Sequence, residues 1–348
     1  MRRPAARGPL SAALLDVLVT DPPGADGGSS RALTELHALA VRAVESTDDV
    51  IADDDVQISL TVLYELAYRG VDGVHDAWEW QPELLRVRAT LEAAFERAIR
   101  ALVPVPESDA RSAHEVAEAL FALTSADDGP SVSVYLAKKA TDAQAREFLV
   151  HRSIYHLKEA DPHSWALPRL EGRAKSALVE IQADEYGGGR PGYIHSELFA
   201  STLRAIGLDD GYGAYLDLVP APTLASTTMM SLFGLHRRLR GAITGHLAAF
   251  EMTSSIPCRK YANGFRRLGY GDDVTAYFDE HVEADAVHEQ IAGRDLAGAL
   301  AEAEPQVRDD VLWGAAAYLA VDGLAGARML EAWQAGRSSL RGPARLAA

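Results

Sequence analysis

The chain has 348 residues, enough to bury one large core or two smaller ones. It carries 50 acidic against 34 basic side chains, a net charge of −16, which argues against a nucleic-acid partner because neutralising phosphates requires clustered Lys and Arg. Its single cysteine, Cys258, excludes an internal disulfide and a thiolate zinc site, and fits a reducing cytoplasm.

Hydrophobic residues reach 48%, much of it Ala and Leu, while aromatics are 7% and β-branched runs are scarce. Ala and Leu favour helix over sheet, so an all-α bundle is expected. The opening Met1-Arg2-Arg3-Pro4 and the run Leu10–Leu18 have the outline of a signal peptide. Asp16 interrupts that run, however, and no small-residue cleavage pattern precedes Asp21-Pro22-Pro23, so none is expected. No stretch reaches about 18 apolar residues without a charge, and no membrane span is expected either.

In chain order, residues 21–30 read as a loop. A helix follows over 31–44, with Leu33, Leu36, Ala40 and Val41 on one face. The acidic stretch 48–55 reads as a solvated turn. Helical patterns resume over 57–69 and 82–103, the second stopped by Pro104 and Pro106, and over 109–124 behind the N-cap candidates Ser108 and Asp109. The loop Ser125–Ser131 is the best internal boundary, dividing an N-terminal helical region (1–125) from a second domain (126–340). Further helices are expected over 141–160, 165–186, 192–206, 211–217, 224–252, 258–268, 272–291, 295–302 and 305–335. Pro162, Gly187–Gly189, Pro220, Pro222 and Pro257 punctuate them.

Two places concentrate chemistry. His281, Asp285 and His288 stand at i, i+4 and i+7, within roughly 60° of arc on one helix face. Two imidazoles and a carboxylate in line suit a first-row metal, including a mononuclear two-histidine, one-carboxylate site. A solvated face rich in His and acids is the alternative, since Glu280, Glu283 and Glu289 lie nearby. The second place runs from Glu159 to His195. Glu159 ends one helix, Glu185 ends the next, and the three glycines after it can bend the chain sharply enough to bring His195 back to Glu185. A plain helix C-cap and turn would use the same glycines. Other metal and phosphate templates fail: there is no Glu-x-x-His, HExxH, CxxC or GxxxxGK, and Gly187–Gly189 does not match GxGxxG. His151, His156, His163 and His246 read as structural. Arg152 and Lys158 could meet a substrate carboxylate or simply be exposed, and Tyr155 could line a pocket or fill core.

The stretch DEYGGG (184–189) has a histidine ten residues past its glutamate and a glutamate 26 residues before it. With the late His-x-x-x-Asp-x-x-His, this resembles the haem-oxygenase-like di-iron oxidases and oxygenases, over roughly residues 140–295. The resemblance implies a haem-oxygenase-like helical bundle, with residues 1–125 as a helical cap and dimer surface. It implies one iron held by Glu159, His195 and His288 and another held by Glu185, His281 and Asp285. Where some members carry a further acid, this chain has Gly192, which leaves Glu251 or Asp184 as a bridge or outer partner. The implied function is a cytoplasmic, homodimeric, O2-activating oxygenase with two Fe(II)/Fe(III) ions and an external electron donor. Its small-metabolite substrate would be oxygenated at an amine-type nitrogen. The alternatives are C–H activation (desaturation or C–C cleavage) of an amino or fatty acid, and a non-catalytic iron- or haem-binding protein.

Overall fold

In the computed structural model, which describes residues 1–23, 31–126, 129 and 131–342 (for 283–286 the backbone alone), every regular element of the described residues is helical. The N-terminal region forms α1 (Pro9–Leu18), α2 (Arg31–Ser46), α3 (Asp54–Glu65), α4 (Pro82–Leu102) and α5 (Ala113–Ser125). The remainder forms α6 (Val132–Lys138), α7 (Asp142–His156), α8 (Asp161–Ser164), α9 (Gly172–Glu185), α10 (His195–Ala205) and α11 (Ala221–Leu235). It continues with α12 (Arg240–Met252), α13 (Ser255–Arg267), α14 (Asp272–Gln290), a π-helical turn (Ile291–Gly298), α15 (Ala299–Ala303) and α16 (Arg308–Gln334). None of the described helices is long and apolar enough to cross a membrane.

Local chemistry explains where the boundaries differ from the sequence pattern. α5 starts at Ala113 because Ser112 and Glu115 form a reciprocal capping box, a stronger start than Ser108 or Asp109 provides. The expected helix 141–160 stops at His156. Pro162 cannot continue it, and Ala160 turns the chain with φ 72°, a left-handed conformation rare for a residue with a Cβ. The expected helix 224–252 is two helices. His236 is extended between them, and the Arg169 guanidinium donates to the carbonyls of Gly234 and Leu235, satisfying the open end of α11. Residues 211–217 form turns and a short 3₁₀ segment, whereas α6, too short to show a period, went unread.

Packing decides which faces meet. α12 lies against α16 at a crossing made of small residues. A Cβ on Gly245 would run into the Val311 carbonyl, and one on Gly314 into that of Ala242. This close approach fixes α12, whose C-terminal turn carries Glu251. One apolar cluster joins α1–α5 with α9, α11, α12 and α16, and a second gathers α6, α7, α10, α13 and α14.

A buried ion pair ties α3 to the turn after α7. Lys158 donates to Glu65, both side chains being at most 3% exposed, and the Tyr212 hydroxyl donates to the two Glu65 oxygens at 2.7 Å. Lys158 also sits 4.4 Å from the centre of the Tyr68 ring. Lys158 is therefore committed to structure and does not line the cavity described below.

Two stability outcomes follow. Gly245→Ala is expected to lower the unfolding free energy by about 1–3 kcal/mol, because the clash is with backbone that cannot swing aside. Glu65→Ala leaves an uncompensated buried ammonium and is expected to cost about 3–5 kcal/mol. Urea denaturation followed by circular dichroism measures both, and a loss below 0.5 kcal/mol in either (roughly the surface-substitution range) would contradict the packing described.

Candidate metal centre

The turn that ends α7 delivers Glu159 into the interior, and the Gln182 amide holds that turn by donating to the Ala160 carbonyl at 2.9 Å. Glu185 is the last residue of α9. Gly187, Gly188 and Gly189 follow with φ between 60° and 74°, and a Cβ on Gly187 would lie 2.6 Å from the Tyr193 carbonyl carbon. The bend thus needs both the left-handed backbone and the missing side chain. It returns His195 to the first position of α10, with Nδ1 3.0 Å from Glu185 Oε2.

α14 supplies two imidazoles on one face. His281 Nδ1 donates to the Tyr277 carbonyl at 2.7 Å, which puts its lone pair on Nε2, 3.6 Å from Glu159 Oε1. Two turns further on, His288 Nδ1 lies 3.5 Å from Glu251 Oε2 and 4.0 Å from Glu185 Oε1. Its Nε2 is 3.1 Å from Asp184 Oδ2, so an N–H there donates to a carboxylate while Nδ1 faces the cluster. Glu159, Glu185, His195, Glu251, His281 and His288 are all buried.

These side chains form two overlapping groups whose ligand atoms lie within 4.8 Å of one another: Glu159, Glu185, His195 and His281 in one, and Glu185, Glu251 and His288 in the other. Glu185 belongs to both. The division differs from the expected one, which set His288 with Glu159 and His195. His281 and His288 are two helical turns apart, about 10 Å along the axis, so they reach different loci, and Glu251 enters from α12 beside His288. The Asp285 side chain, expected with Glu185 and His281, lies outside the described residues.

The electrostatics are those of a cluster short of positive charge. Burial works against charging His288, yet its hydrogen bond and charge interaction with Glu251, with Asp184 and Glu185 adding, push its pKa up to about 9. Burial raises the Glu251 carboxyl, and the like charge of Glu185 adds to this. Burial also works to raise the Glu159 carboxyl, but His156 and His281 outweigh it and hold it well below the usual range. His195 Nδ1 and His288 Nδ1 are each buried with a carboxylate oxygen close by, that of Glu185 at 3.0 Å and that of Glu251 at 3.5 Å. Buried imidazole nitrogens gathered with buried carboxylates are the donor set of a first-row divalent metal once their protons leave, and the residues present fit such an ion.

Two groups that spacing did not reveal hold Glu159. The Tyr277 hydroxyl lies 2.8 and 2.7 Å from its two oxygens, and His156 Nδ1 lies 2.9 Å from Oε1. His156 reaches Glu159 because α7 ends there and the chain doubles back. Tyr277 stands one turn before His281, the only signal that could have found it. At the Gly192 position, where an acid would have been the alternative ligand, φ is 81°, which a residue with a Cβ adopts at a cost.

A cavity of about 230 Å³ opens against Glu159, His281 and Tyr277 and runs between α7, α12, α13 and α16, with Tyr155, Phe148 and Phe250 among its walls. Near Tyr155, His163 Nε2 meets His246 Nδ1 at 3.1 Å, both rings buried. His151 bonds Thr223 and Ser339 at 2.7 and 3.0 Å.

Helices that bring three buried imidazoles and three buried carboxylates into two adjoining groups define a helical scaffold with a candidate metal centre. Residues 146–323, just over half of the chain, match the iron-containing redox enzyme family, and the chain belongs to it. It is also 29% identical over 179 residues to a nitrosourea synthase of Streptomyces achromogenes subsp. streptozoticus, a match that covers 51% of this chain and 38% of that relative. The chain therefore spans well under half of that relative's length.

The non-ligand histidines carry a pH dependence. Burial depresses the pKa of His151 and of His163 to about 4, and that of His246 well below its ordinary value. The unfolded chain protonates these rings near pH 6.5, but in the folded chain His151 and His163 are protonated only near pH 4, and His246 well below its ordinary range. Stability is therefore present above pH 6.5 and is lost as pH falls from there toward 4. The melting temperature of the chain should decline across that window, and His151→Asn should shallow the decline. A flat profile would mean that the rings are protonated in the folded state.

Proposed function

We propose that this chain is a non-haem di-iron oxidase or oxygenase that activates O2 to oxidise a small metabolite, with oxygenation of an amine-type nitrogen as its favoured reaction. The observation that carries the reading is that Glu185 is shared by two metal-competent groups, one on each side of it. A carboxylate with two oxygens placed between two donor sets suits a pair of ions better than one. Family membership supplies iron, and the relative's printed name supplies nitrogen as the element modified. A haem would need one axial histidine and would leave three buried carboxylates without a role.

When bound, two ferrous ions supply one electron each toward O2. The chain's own residues have four tasks. Glu159, His195 and His281, with Glu185, would hold one ion, and Glu251 and His288, with the same Glu185, the other. Tyr277 and His156 fix the Glu159 carboxylate by hydrogen bonds, so it need not reorganise to bind. Asp184 keeps the Nε2 proton of His288 directed away from the cluster. The aromatic walls Phe250, Phe278 and Tyr155 exclude water from the face where the substrate would meet the cluster. Asp285 joins the reading as a ligand expected from its position one turn after His281.

Anaerobic Fe(II) titration with metal analysis tests this. About two irons per chain are expected for the unmodified protein, close to none for Glu185→Ala and about one for Glu251→Ala, because only Glu185 belongs to both groups. Equal iron loss in the two variants would remove the bridging role. A Soret band on adding haem, with no Fe(II) uptake, would defeat the di-iron reading. Amine-dependent O2 consumption then separates an oxygenase from an iron store.

A further inference from the structure

Beside the C-terminal end of α16 lies a second cavity, of about 320 Å³, walled by the last turns of that helix, the segment 337–341 beyond it and the first residue of α3. Arg328, Arg337 and Arg341 line it, against the carboxylates of Asp54 and Glu331. Asp54 is already engaged three times. Arg7 Nη1 and Arg341 Nε each donate to it at 2.9 Å, and the Ala221 N–H donates at 3.0 Å. Arg7, with its side chain 1% exposed, is thus a fourth guanidinium in the group, and its Nε is buried without a hydrogen-bond partner. Burial and the neighbouring charge of Arg341 together lower its pKa. The guanidiniums of Arg328 and Arg337 make no ion pair or hydrogen bond among the described residues. Nor are they needed to cap α16, because the N–H groups of Ala335, Gly336 and Arg337 meet the carbonyls of Glu331, Trp333 and Ala332. In a chain of net charge −16, this excess of positive charge is a local arrangement and does not follow from composition.

Guanidiniums that share one carboxylate repel one another, and an anion among them relieves that repulsion. Geometry selects the anion. A carboxylate presents two oxygens in one plane and a single charge, which one guanidinium fork can satisfy. These arginines come from three places: α16, the turn behind it and the segment beyond. A phosphate group carries close to two charges on three oxygens that point apart, so several forks can bind it at once. The cavity lies within the roughly 300–1,000 Å³ of small-molecule sites, and Pro220, Ala332 and Leu340 give it apolar wall for an organic body beyond the phosphate.

We propose that this cavity binds a small phosphate monoester, with Arg328, Arg337 and Arg341 holding its phosphate. The site is separate from the metal cluster, and the inference does not rest on the function proposed above. The two regions touch through Ser339 in the wall of this cavity. Its hydroxyl donates to Glu147 at 2.6 Å and accepts from Nε2 of His151, which lines the cavity beside the cluster.

Calorimetric titration of the full chain with adenosine monophosphate, ribose phosphate, glycerol phosphate and inorganic phosphate tests it, with ionic strength held constant by sodium chloride. At least one ester is expected to bind at one site per chain, more tightly than inorganic phosphate. Arg328→Gln and Arg337→Gln should each weaken that ester roughly tenfold, since each removes one charge-assisted contact. Neither guanidinium has a partner in the folded chain, so both variants should melt like the unmodified protein, which circular dichroism checks. Arg31→Gln makes the same charge change on a side chain 92% exposed at the start of α2, and should leave binding unchanged. No binding by any ester, an ester no tighter than inorganic phosphate, or equal weakening by Arg31→Gln would overturn the proposal. So would tighter binding of malate, a dicarboxylate without phosphorus. The comparison of probes on the unmodified chain decides even if a variant unfolds.

Discussion

Three buried carboxylates, Glu159, Glu185 and Glu251, converge in the interior of this bundle, and the rest of the structure is arranged around that charge. Taking one carboxylate out of water is costly, and gathering three adds mutual repulsion. The chain answers with three imidazoles inside the cluster and with Tyr277 and His156 around it, while Asp184 accepts from His288. The raised pKa values of His288, to about 9, and of Glu251 show where this compensation falls short. Both lie on the side of Glu185 that has the single histidine, and in the proposed centre a cation there would supply the missing charge.

Backbone features far apart in the chain serve this convergence. The glycine bend at 187–189 brings His195 to Glu185, while the close crossing of α12 on α16 seats Glu251. The Lys158–Glu65 pair fastens the turn beside Glu159 to α3, so the N-terminal helices are coupled to the placement of a candidate ligand through one covalently adjacent residue. α7 and α16 then do double service, each supplying one half of the Arg152–Asp322 pair to the cavity.

What the sequence revealed follows from how local each signal is. The α14 face was legible because helical periodicity is a short-range property, and His281 and His288 indeed share that face. The return of His195 to Glu185 was legible as one of two uses of the three glycines, the other being a plain helix C-cap and turn. By contrast, Glu251 was no more than an alternative to Asp184, since nothing on α12 announces what it packs against. His156 read as structural, and its bond to Glu159 was not legible because it depends on the turn that follows the end of α7. The break at His236 escaped notice because its stabiliser, Arg169, comes from a distant segment. The grouping of the side chains is set the same way: a seven-residue interval puts His281 and His288 on one face, but only tertiary packing decides which acid each one meets.

The charge shortfall also bears on how such a centre is loaded. Any cation that binds the folded cluster and not the unfolded chain shifts the folding equilibrium by mass action, in proportion to the logarithm of its concentration over its dissociation constant. In the proposed centre a divalent ion beside Glu251 would take the place of the proton on His288 and relieve the repulsion between Glu251 and Glu185, so metal binding and folding would draw on one electrostatic term. Asp184 remains 63% exposed at the rim, joined to His288, where it connects this compensation to solvent.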